Sequence, residues 1–280
     1  MKMRVITSVV GLAVLAVVLC FFDTFIFNVA VAAVALIAIH EVYMAFSLKF
    51  PWIYVVFVPV TLLVMLNDGR NMPGWLSMPA VLYAMLLFLS CCVIGRSQTL
   101  HYADVGGMAL FSAVILASFW SMLYLRASFP NHYDAIYFIL LALGFAWGGD
   151  TCAYFAGRAF GKHKLAPIVS PHKTVEGAVG GVLGSVLTGL LITAAYSAAL
   201  GGPSCAVADA RYYGAIALIG AVSSVLGILG DLTASAVKRQ CGIKDYGTIF
   251  PGHGGILDRF DSVLFILPFL ALILSAVVGH

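Results

Sequence analysis

Charged side chains are scarce in this sequence of 280 residues. Asp, Glu, Lys and Arg together make up only 10% of it, whereas hydrophobic residues make up 62% and the mean hydropathy is +1.04. A soluble domain has about 25% charged residues, so the composition excludes a soluble domain, a disordered tail and a nucleic-acid-binding protein. The net charge of +3 is too small to indicate a polyanionic partner by itself. The remaining class is a polytopic membrane protein.

Paired cysteine motifs are also lacking. The six cysteines form no C-x-x-C pair and no spacing typical of metal ligands. Most of them lie in apolar runs, where a free cysteine behaves as a small hydrophobic residue. We therefore interpret them as packing residues rather than as a zinc or redox site.

Long apolar runs are abundant. A bilayer core of roughly 30 Å needs about 20 apolar residues per helix. The sequence therefore predicts an all-α polytopic membrane protein with about nine transmembrane helices. The first run lacks a small-x-small cleavage pattern, so we expect a retained helix and not a signal peptide. The runs are residues 5–22, 25–46, 52–66, 76–95, 105–125, 133–148, 175–199, 212–231 and 260–278.

The distribution of basic residues predicts the orientation. With the amino terminus in the cytoplasm, twelve of the fifteen Lys and Arg residues fall on the cytoplasmic side, and only Arg70, Arg126 and Arg211 fall outside. This bias follows the positive-inside rule and agrees with an odd number of helices. The carboxyl terminus is then expected outside. Two long polar cytoplasmic loops, 149–174 and 232–259, are the expected place for chemistry.

Two aspartates mark the ends of neighbouring helices. Asp231 ends the eighth apolar run, and Asp258 begins the ninth near the same membrane boundary. Two unpaired carboxylates there would repel each other, and Mg²⁺ favours one or two carboxylates together with water and phosphate oxygens. If the eighth helix continues to Gly242, Ser235 and Lys238 share a face with Asp231. Asp261 is expected in the first turn of the ninth helix, on the face of Asp258.

A glycine-rich turn and basic residues surround these aspartates. The turn from Pro251 to Gly255, which contains His253, allows backbone N–H groups to approach a phosphate. These are the parts of a phosphoryl- or nucleotidyl-transfer site. The alternative is a juxtamembrane cluster that faces anionic lipid. The basic residues that could neutralise phosphate are Lys238, Arg239, Lys244 and Arg259.

The other polar segment contains a second set of candidates. Asp150 closes an apolar helix, where a carboxylate is costly and usually functional. Thr174 suits the N-cap and Glu176 the first turn of the seventh helix. Together with Ser170 and Lys173, Thr174 could hold a nucleotide phosphate or base, although capping alone would explain Thr174 and Glu176.

Two features inside the apolar runs have structural explanations. The spacing of Gly177, Gly180, Gly181 and Gly184 predicts close packing of the seventh helix against a neighbour. His40 and Glu41 are interpreted as a polar pair satisfied against a neighbouring helix.

The stretch from Ser235 to Asp261 resembles the signature of the phosphatidate cytidylyltransferases, or CDP-diacylglycerol synthases. That pattern is S-x-hydrophobic-K-R, four residues, K-D, and later P-x-H-G-G-hydrophobic-x-D-R-x-D. The segment after Ser170 resembles the family's S-P-K-K-T-x-E-G, from which His172 departs, and Val175 stands where the family often has Trp. The matching positions are Ser235, Lys238, Arg239, Lys244, Asp245, Gly247, Phe250, Pro251, His253, Gly254, Gly255, Asp258, Arg259 and Asp261.

The resemblance implies a membrane-embedded homodimer that makes CDP-diacylglycerol and pyrophosphate from CTP and phosphatidic acid. It implies a Mg²⁺ site on Asp231 and Asp258 and leaves open a second, monovalent ion such as K⁺. Residues 1–130 would be a variable set of membrane helices and residues 131–280 the catalytic region, in a bacterial inner membrane.

The candidate residues have different expected roles. Lys238, Arg239 and Arg259 would grip the lipid phosphate or the leaving pyrophosphate, whereas Ser170, Lys173 and Thr174 would lie on the nucleotide side. The further binding candidates are Asp150, Glu176, Ser235, Lys244, Asp245, His253 and Asp261.

Three other functions stay open at this stage. A lipid-pathway kinase would move a single phosphate instead of incorporating a whole nucleotide. A CDP-alcohol phosphotransferase would carry D-x-x-D-G-x-x-A-R, which the sequence lacks. A transporter with polar breaks in its helices would show paired interrupted helices in its two halves, and we find no such repeat.

Overall fold

The computed structural model describes residues 2–47, 52–67, 78–95, 100–129, 131–204, 209–250 and 254–278, and these residues are mostly helical. The helices are α1 (Lys2–Cys20), α2 (Phe25–Ala45), α3 (Trp52–Leu66), α4 (Met78–Gly95), α5 (Tyr102–Ser128), α6 (His132–Phe160), α7 (Val175–Leu200), α8 (Ala210–Gln240), α9 (Leu257–Phe260) and α10 (Val263–Val278). A short hairpin of β1 (Lys164–Ala166) and β2 (Ser170–Thr174) lies between α6 and α7.

The chain forms two compact units. Unit 1 consists of Met1–Ala127 and Cys241–Arg259, and unit 2 of Ser128–Gln240 and Phe260–His280. Each unit has buried aromatic side chains, including Phe27 and Phe119 in unit 1 and Tyr137 and Phe145 in unit 2. The expected separation at residue 130 into a variable and a catalytic region concerns function, and it stays a prediction.

Within the described residues, five helices are long and apolar enough to cross a membrane: α2, α5, α6, α7 and α8. Shorter apolar segments lie at Phe57–Leu66, Tyr83–Gly95 and Val263–Ala276. The chain is therefore an integral membrane protein with a mostly helical fold, and the count of nine spans stays a prediction.

Both predicted polar loops are shorter than expected, because each begins as helix. α6 continues from the apolar run to Phe160, and α8 continues to Gln240. The 29 residues of α6 measure about 44 Å, which exceeds a bilayer core of roughly 30 Å. Polar residues after 148 and 231 therefore lie on helix ends. Gly242 has φ +69° just after α8, which agrees with its expected place at the helix end.

The segment expected to form the start of the ninth helix is interrupted. α9 holds Asp258 but ends at Phe260, and α10 begins only at Val263. Asp261 lies in the turn between them, where its Oδ1 accepts a hydrogen bond from the backbone N–H of Ser262 at 2.8 Å. Such a local bond competes with helical hydrogen bonding. The expectation that Asp258 and Asp261 share one helical face is therefore wrong.

The hairpin is a small departure from the predicted all-α fold. β1 and β2 pair antiparallel, with Lys164 opposite Thr174 and Ala166 opposite Ser170. The N–H of Val175 donates to the carbonyl of His163 at 2.9 Å, so the hairpin leads directly into α7.

Glycines allow α6 and α7 to pack closely, as predicted. A methyl group added at Gly184 would overlap Cys152 and approach the carbonyl oxygen of Gly148 at 3.1 Å. A methyl group at Gly180 would overlap Ala156. The hydroxyl of Ser185 donates to the carbonyl of Phe145 at 2.7 Å across the same pair of helices. The contact fixes the ends of α6 and α7 that flank the hairpin.

Candidate active site

The predicted site residues fall in both units. Unit 2 contains the residues on α6, the hairpin, α7, α8 and the turn before α10. Unit 1 contains the loop after α8 and the start of α9. His253, with Pro251 and Gly252, lies outside the described residues.

Asp231 of α8 has two contacts in unit 2. Its carboxylate forms a salt bridge with the ammonium group of Lys173 on β2. Ser235, one turn later, donates its hydroxyl hydrogen to Oδ1 of Asp231 at 3.2 Å. Asp231 and Ser235 therefore share a helical face, as predicted, and the hairpin candidate Lys173 is brought to that face.

Asp150 and Asp261 lie in the same unit around Ser262. The hydroxyl of Ser262 is 2.9 Å from Oδ2 of Asp150 and 3.4 Å from Oδ1 of Asp261. Burial, and then the carboxylates of Asp231 and Asp150, raise the pKa of Asp261 to about 7, while Lys238 acts in the opposite direction. The local field of these three acidic residues therefore favours a cation.

This donor chemistry fits a hard divalent cation. Mg²⁺ takes oxygen ligands and is usually held by one or two carboxylates, with water and phosphate oxygens completing the octahedron. No three acidic, histidine or cysteine side chains within the described ranges converge into a complete metal site. A cation at Asp231 would therefore depend on water or substrate oxygens for its remaining ligands. The prediction that Asp231 and Asp258 hold the same metal ion stays a prediction.

Thr174 and Glu176 hold the start of α7. The hydroxyl oxygen of Thr174 accepts a hydrogen bond from the N–H of Gly177 at 3.1 Å, which confirms the predicted N-cap. Oε2 of Glu176 accepts from the N–H groups of Lys162 and His163 at 3.1 and 3.2 Å. Nδ1 of His163 lies 2.6 Å from Oε1 of Glu176. Both side chains therefore fix the hairpin to α7, and their role at the nucleotide stays a prediction.

Basic residues lie around the hairpin and the end of α8. The guanidinium Nε of Arg239 donates to the carbonyl of Val169 at 3.4 Å. The ammonium group of Lys164 donates to the carbonyl of Pro171 at 2.7 Å. Lys173 pairs with Asp231, and the charge of Lys238 acts on Asp261. Positive and negative side chains therefore lie together in this unit, which suits a polyanionic ligand bound with a cation. Ser170 lies half-buried at the first position of β2.

In unit 1, Asp258 organises the loop that carries it. Its Oδ2 accepts hydrogen bonds from the N–H groups of Tyr246 and Gly255, at 2.8 and 2.9 Å. The side chain is 9% exposed, whereas Lys244, Asp245 and Arg259 are exposed. Gly254 has φ +82°, a backbone conformation that favours glycine.

Sequence reasoning underestimated Glu41. The predicted contact with a neighbouring helix holds for His40, whose Nδ1 lies 2.6 Å from the hydroxyl of Tyr54 on α3. Glu41 instead accepts hydrogen bonds from the backbone N–H groups of Ile256 and Leu257, which immediately precede Asp258. The available signal was a carboxylate inside an apolar helix, which is usually functional.

The whole sequence resembles known proteins. Residues 2–277 match the family described as the Cytidylyltransferase family. The chain belongs to this family. It is therefore an enzyme, a nucleotidyltransferase that uses CTP.

The relatives cover most or all of the chain. A phosphatidate cytidylyltransferase of Staphylococcus saprophyticus is 32% identical over 98% of this chain and 99% of its own length. The protein of that name from Haemophilus influenzae is 32% identical over 97% of each chain. The one from Bacillus subtilis is 39% identical over 72% of this chain and 70% of its own.

Proposed function

We propose that this enzyme transfers CMP from CTP to phosphatidic acid and so produces CDP-diacylglycerol for phospholipid biosynthesis. The observation that carries the proposal is the similarity to proteins named phosphatidate cytidylyltransferase from three bacterial genera, which runs nearly end to end in the Staphylococcus and Haemophilus proteins. The group of acidic and basic side chains in unit 2 supports it, because a reaction between two polyanions needs both a cation site and positive charge.

In the proposed reaction, a phosphate oxygen of phosphatidic acid attacks the α-phosphorus of CTP. The bond from that phosphorus to the oxygen that bridges to the β-phosphorus breaks, and pyrophosphate leaves. A phosphomonoester is largely dianionic near pH 7, since its second pKa is about 6. No general base is therefore required, and the work of the site is to overcome charge repulsion and to align the reactants.

The basic residues are proposed to bind phosphates. Lys238, Arg239 and Arg259 grip the lipid phosphate or the leaving pyrophosphate, and Ser170, Lys173 and Thr174 bind the nucleotide. The salt bridge from Lys173 to Asp231 supports this division, because it brings a hairpin residue to the acidic face of α8. Ser235 orients Asp231 and Glu176 orients the hairpin. Lys244, Asp245 and His253 remain candidates for further phosphate contacts.

We propose that Asp231 and Asp258 hold Mg²⁺, with Asp150 and Asp261 contributing to the negative field of the site. When bound, the ion would neutralise phosphate charge and polarise the reacting phosphoryl group. The hydroxyl of Ser262 lies within reach of both Asp150 and Asp261, and this grouping of carboxylates supports a cation nearby. The proposal includes a second, monovalent ion such as K⁺, because the family resemblance leaves room for one.

The proposed setting is a bacterial inner membrane, with about nine spans, a cytoplasmic amino terminus and an outside carboxyl terminus. The excess of Lys and Arg in segments 149–174 and 232–259 supports a cytoplasmic site. A site at this boundary allows soluble CTP to meet a lipid headgroup while the acyl chains stay in the bilayer. The enzyme is proposed to act as a homodimer.

Pyrophosphate release by purified full-length protein tests the function. We expect release only when CTP and phosphatidic acid are both present, and none when diacylglycerol replaces phosphatidic acid. Production of CDP from CTP with diacylglycerol would instead indicate a lipid kinase. Lack of any lipid-dependent release by folded protein would contradict the proposal.

A further inference from the structure

Glu41 is a buried carboxylate in the mainly apolar helix α2, next to His40. Only 4% of the surface of this residue is exposed. A carboxylate at such a position is costly unless hydrogen-bond donors compensate for its lost hydration. Both oxygens of Glu41 have such donors: the N–H of Ile256 lies 3.0 Å from Oε1 and the N–H of Leu257 lies 2.8 Å from Oε2.

The donors belong to the loop that carries Asp258. The preceding N–H, that of Gly255, donates to Oδ2 of Asp258 at 2.9 Å. Three consecutive backbone N–H groups are therefore bound by two carboxylates. Hydrogen bonds to a charged acceptor are stronger than those between neutral groups, so this arrangement fixes the backbone immediately before Asp258 and Arg259.

The loop is also shaped around the carboxylate of Glu41. A methyl group added at Gly247 or at Gly255 would overlap the oxygens of Glu41. Both positions are glycine, and both leave room for the carboxylate against the backbone. A larger residue at either position would therefore force the carboxylate of Glu41 to move.

We infer that Glu41 is a positioning residue for the transfer reaction, which sets the backbone of residues 256 and 257 and through it the placement of Asp258 and Arg259. The inference rests on the proposed function, since it assumes that Asp258 and Arg259 serve the reaction. It assigns a role in that reaction to a helix of the amino-terminal region, which the sequence indicated only as a set of variable membrane spans.

Glu41→Gln in the full-length purified enzyme tests the inference. Glutamine keeps the size of the side chain, but its amide nitrogen cannot accept a hydrogen bond, so one of the two backbone N–H groups loses its acceptor. We expect kcat to fall roughly 10- to 100-fold, because small misplacements of reacting groups have effects of this size. KM for CTP should change little. His40→Gln, in the same helix and bonded to Tyr54, should leave both values near those of the wild type.

Hydrogen exchange gives a readout that does not need substrate. A peptide containing residues 254–258 should exchange faster in Glu41→Gln than in the wild type and in His40→Gln. Unchanged exchange, or faster exchange with wild-type kcat, would overturn the inference. If the wild type transfers no CMP, the proposed function fails, while the exchange comparison still decides whether Glu41 fixes this loop.

Gly247→Ala is the second variant, because it displaces the carboxylate of Glu41 without removing it. We expect the same fall in kcat and the same faster exchange. If Glu41→Gln does not fold, the result with Gly247→Ala decides. If neither variant folds, Glu41 is a folding determinant and the assigned positioning role is overturned.

Discussion

Asp231 connects two elements through its carboxylate. The salt bridge to Lys173 reaches the hairpin, and the hydrogen bond from Ser235 stays within α8. The proposed role of Asp231 is to hold the cation that would neutralise substrate phosphate, and its negative charge also acts on Asp261. The effect of Asp231 can therefore be compared with that of an α8 side chain such as Thr233, whose hydroxyl donates to a carbonyl of the same helix.

Asp231→Asn removes the charge and keeps the shape. We expect CMP transfer to fall at least about 100-fold, because metal-ion effects are worth several kcal/mol and each 1.4 kcal/mol is about tenfold in rate. The measurement is incorporation of labelled CMP into phosphatidic acid by purified protein. Thr233→Ala is the matched control on the same helix, since Thr233 is exposed and, within the part of the chain that the structure describes, its hydroxyl donates to the carbonyl of Leu229 alone.

A rate for folded Asp231→Asn within a few-fold of the wild type would remove Asp231 from the metal role. The same comparison applied to Asp258→Asn needs a folding control, because Asp258 also holds the backbone of Tyr246 and Gly255.

At the scale of elements, the packing of α6 against α7 supports the hairpin between them. Close approach of two helices in a membrane depends on small residues, since lipid supplies no hydrophobic force between helices. Gly184 lies at this contact, whereas Gly214 of α8 has nothing within 4 Å of the position of a Cβ.

Gly184→Ala and Gly214→Ala form a matched pair. We expect Gly184→Ala to destabilise the protein by about 1–3 kcal/mol, as overpacking does. Gly214→Ala should be neutral or slightly stabilising, because alanine has the higher helix propensity. Thermal unfolding in detergent compares the two variants. Equal midpoints would contradict the close α6–α7 contact.

The features that the sequence predicted correctly depend on residues that are close together along the chain. The Thr174 cap and the shared face of Asp231 and Ser235 follow from spacing within one helical turn. The hairpin was not predicted, because three- and five-residue strands have no clear hydrophobic period. The partners of Glu41 are 215 and 216 residues away, and no local pattern indicates such a contact.

The ends of helices were predicted less well, for a physical reason. Hydropathy locates the part of a helix that suits lipid, but α6 and α8 continue into polar sequence by 12 and 9 residues beyond the apolar runs that end at 148 and 231. Asp150 therefore lies inside a helix and not at its end. This places Asp150 near the turn before α10, where Ser262 contacts it.

At the scale of the whole molecule, the charge distribution predicts how the chain crosses the membrane. Fusion of a periplasmic phosphatase to the carboxyl terminus should give an active reporter in bacteria, because the positive-inside rule places that terminus outside. A fluorescent protein at the amino terminus should fluoresce, since that end is expected in the cytoplasm. If a fluorescent protein fused to the carboxyl terminus fluoresced, and a phosphatase fused to the same terminus were inactive, the odd number of spans would be contradicted.

The fate of each phosphorus atom of CTP tests the central claim most directly. Purified protein is incubated with phosphatidic acid and CTP that is labelled either at the α- or at the γ-phosphorus. The account predicts that the α-label appears in the lipid and the γ-label appears in pyrophosphate, in equal amounts. Transfer of the γ-label to lipid, or retention of both labels in CTP by folded protein, would contradict it.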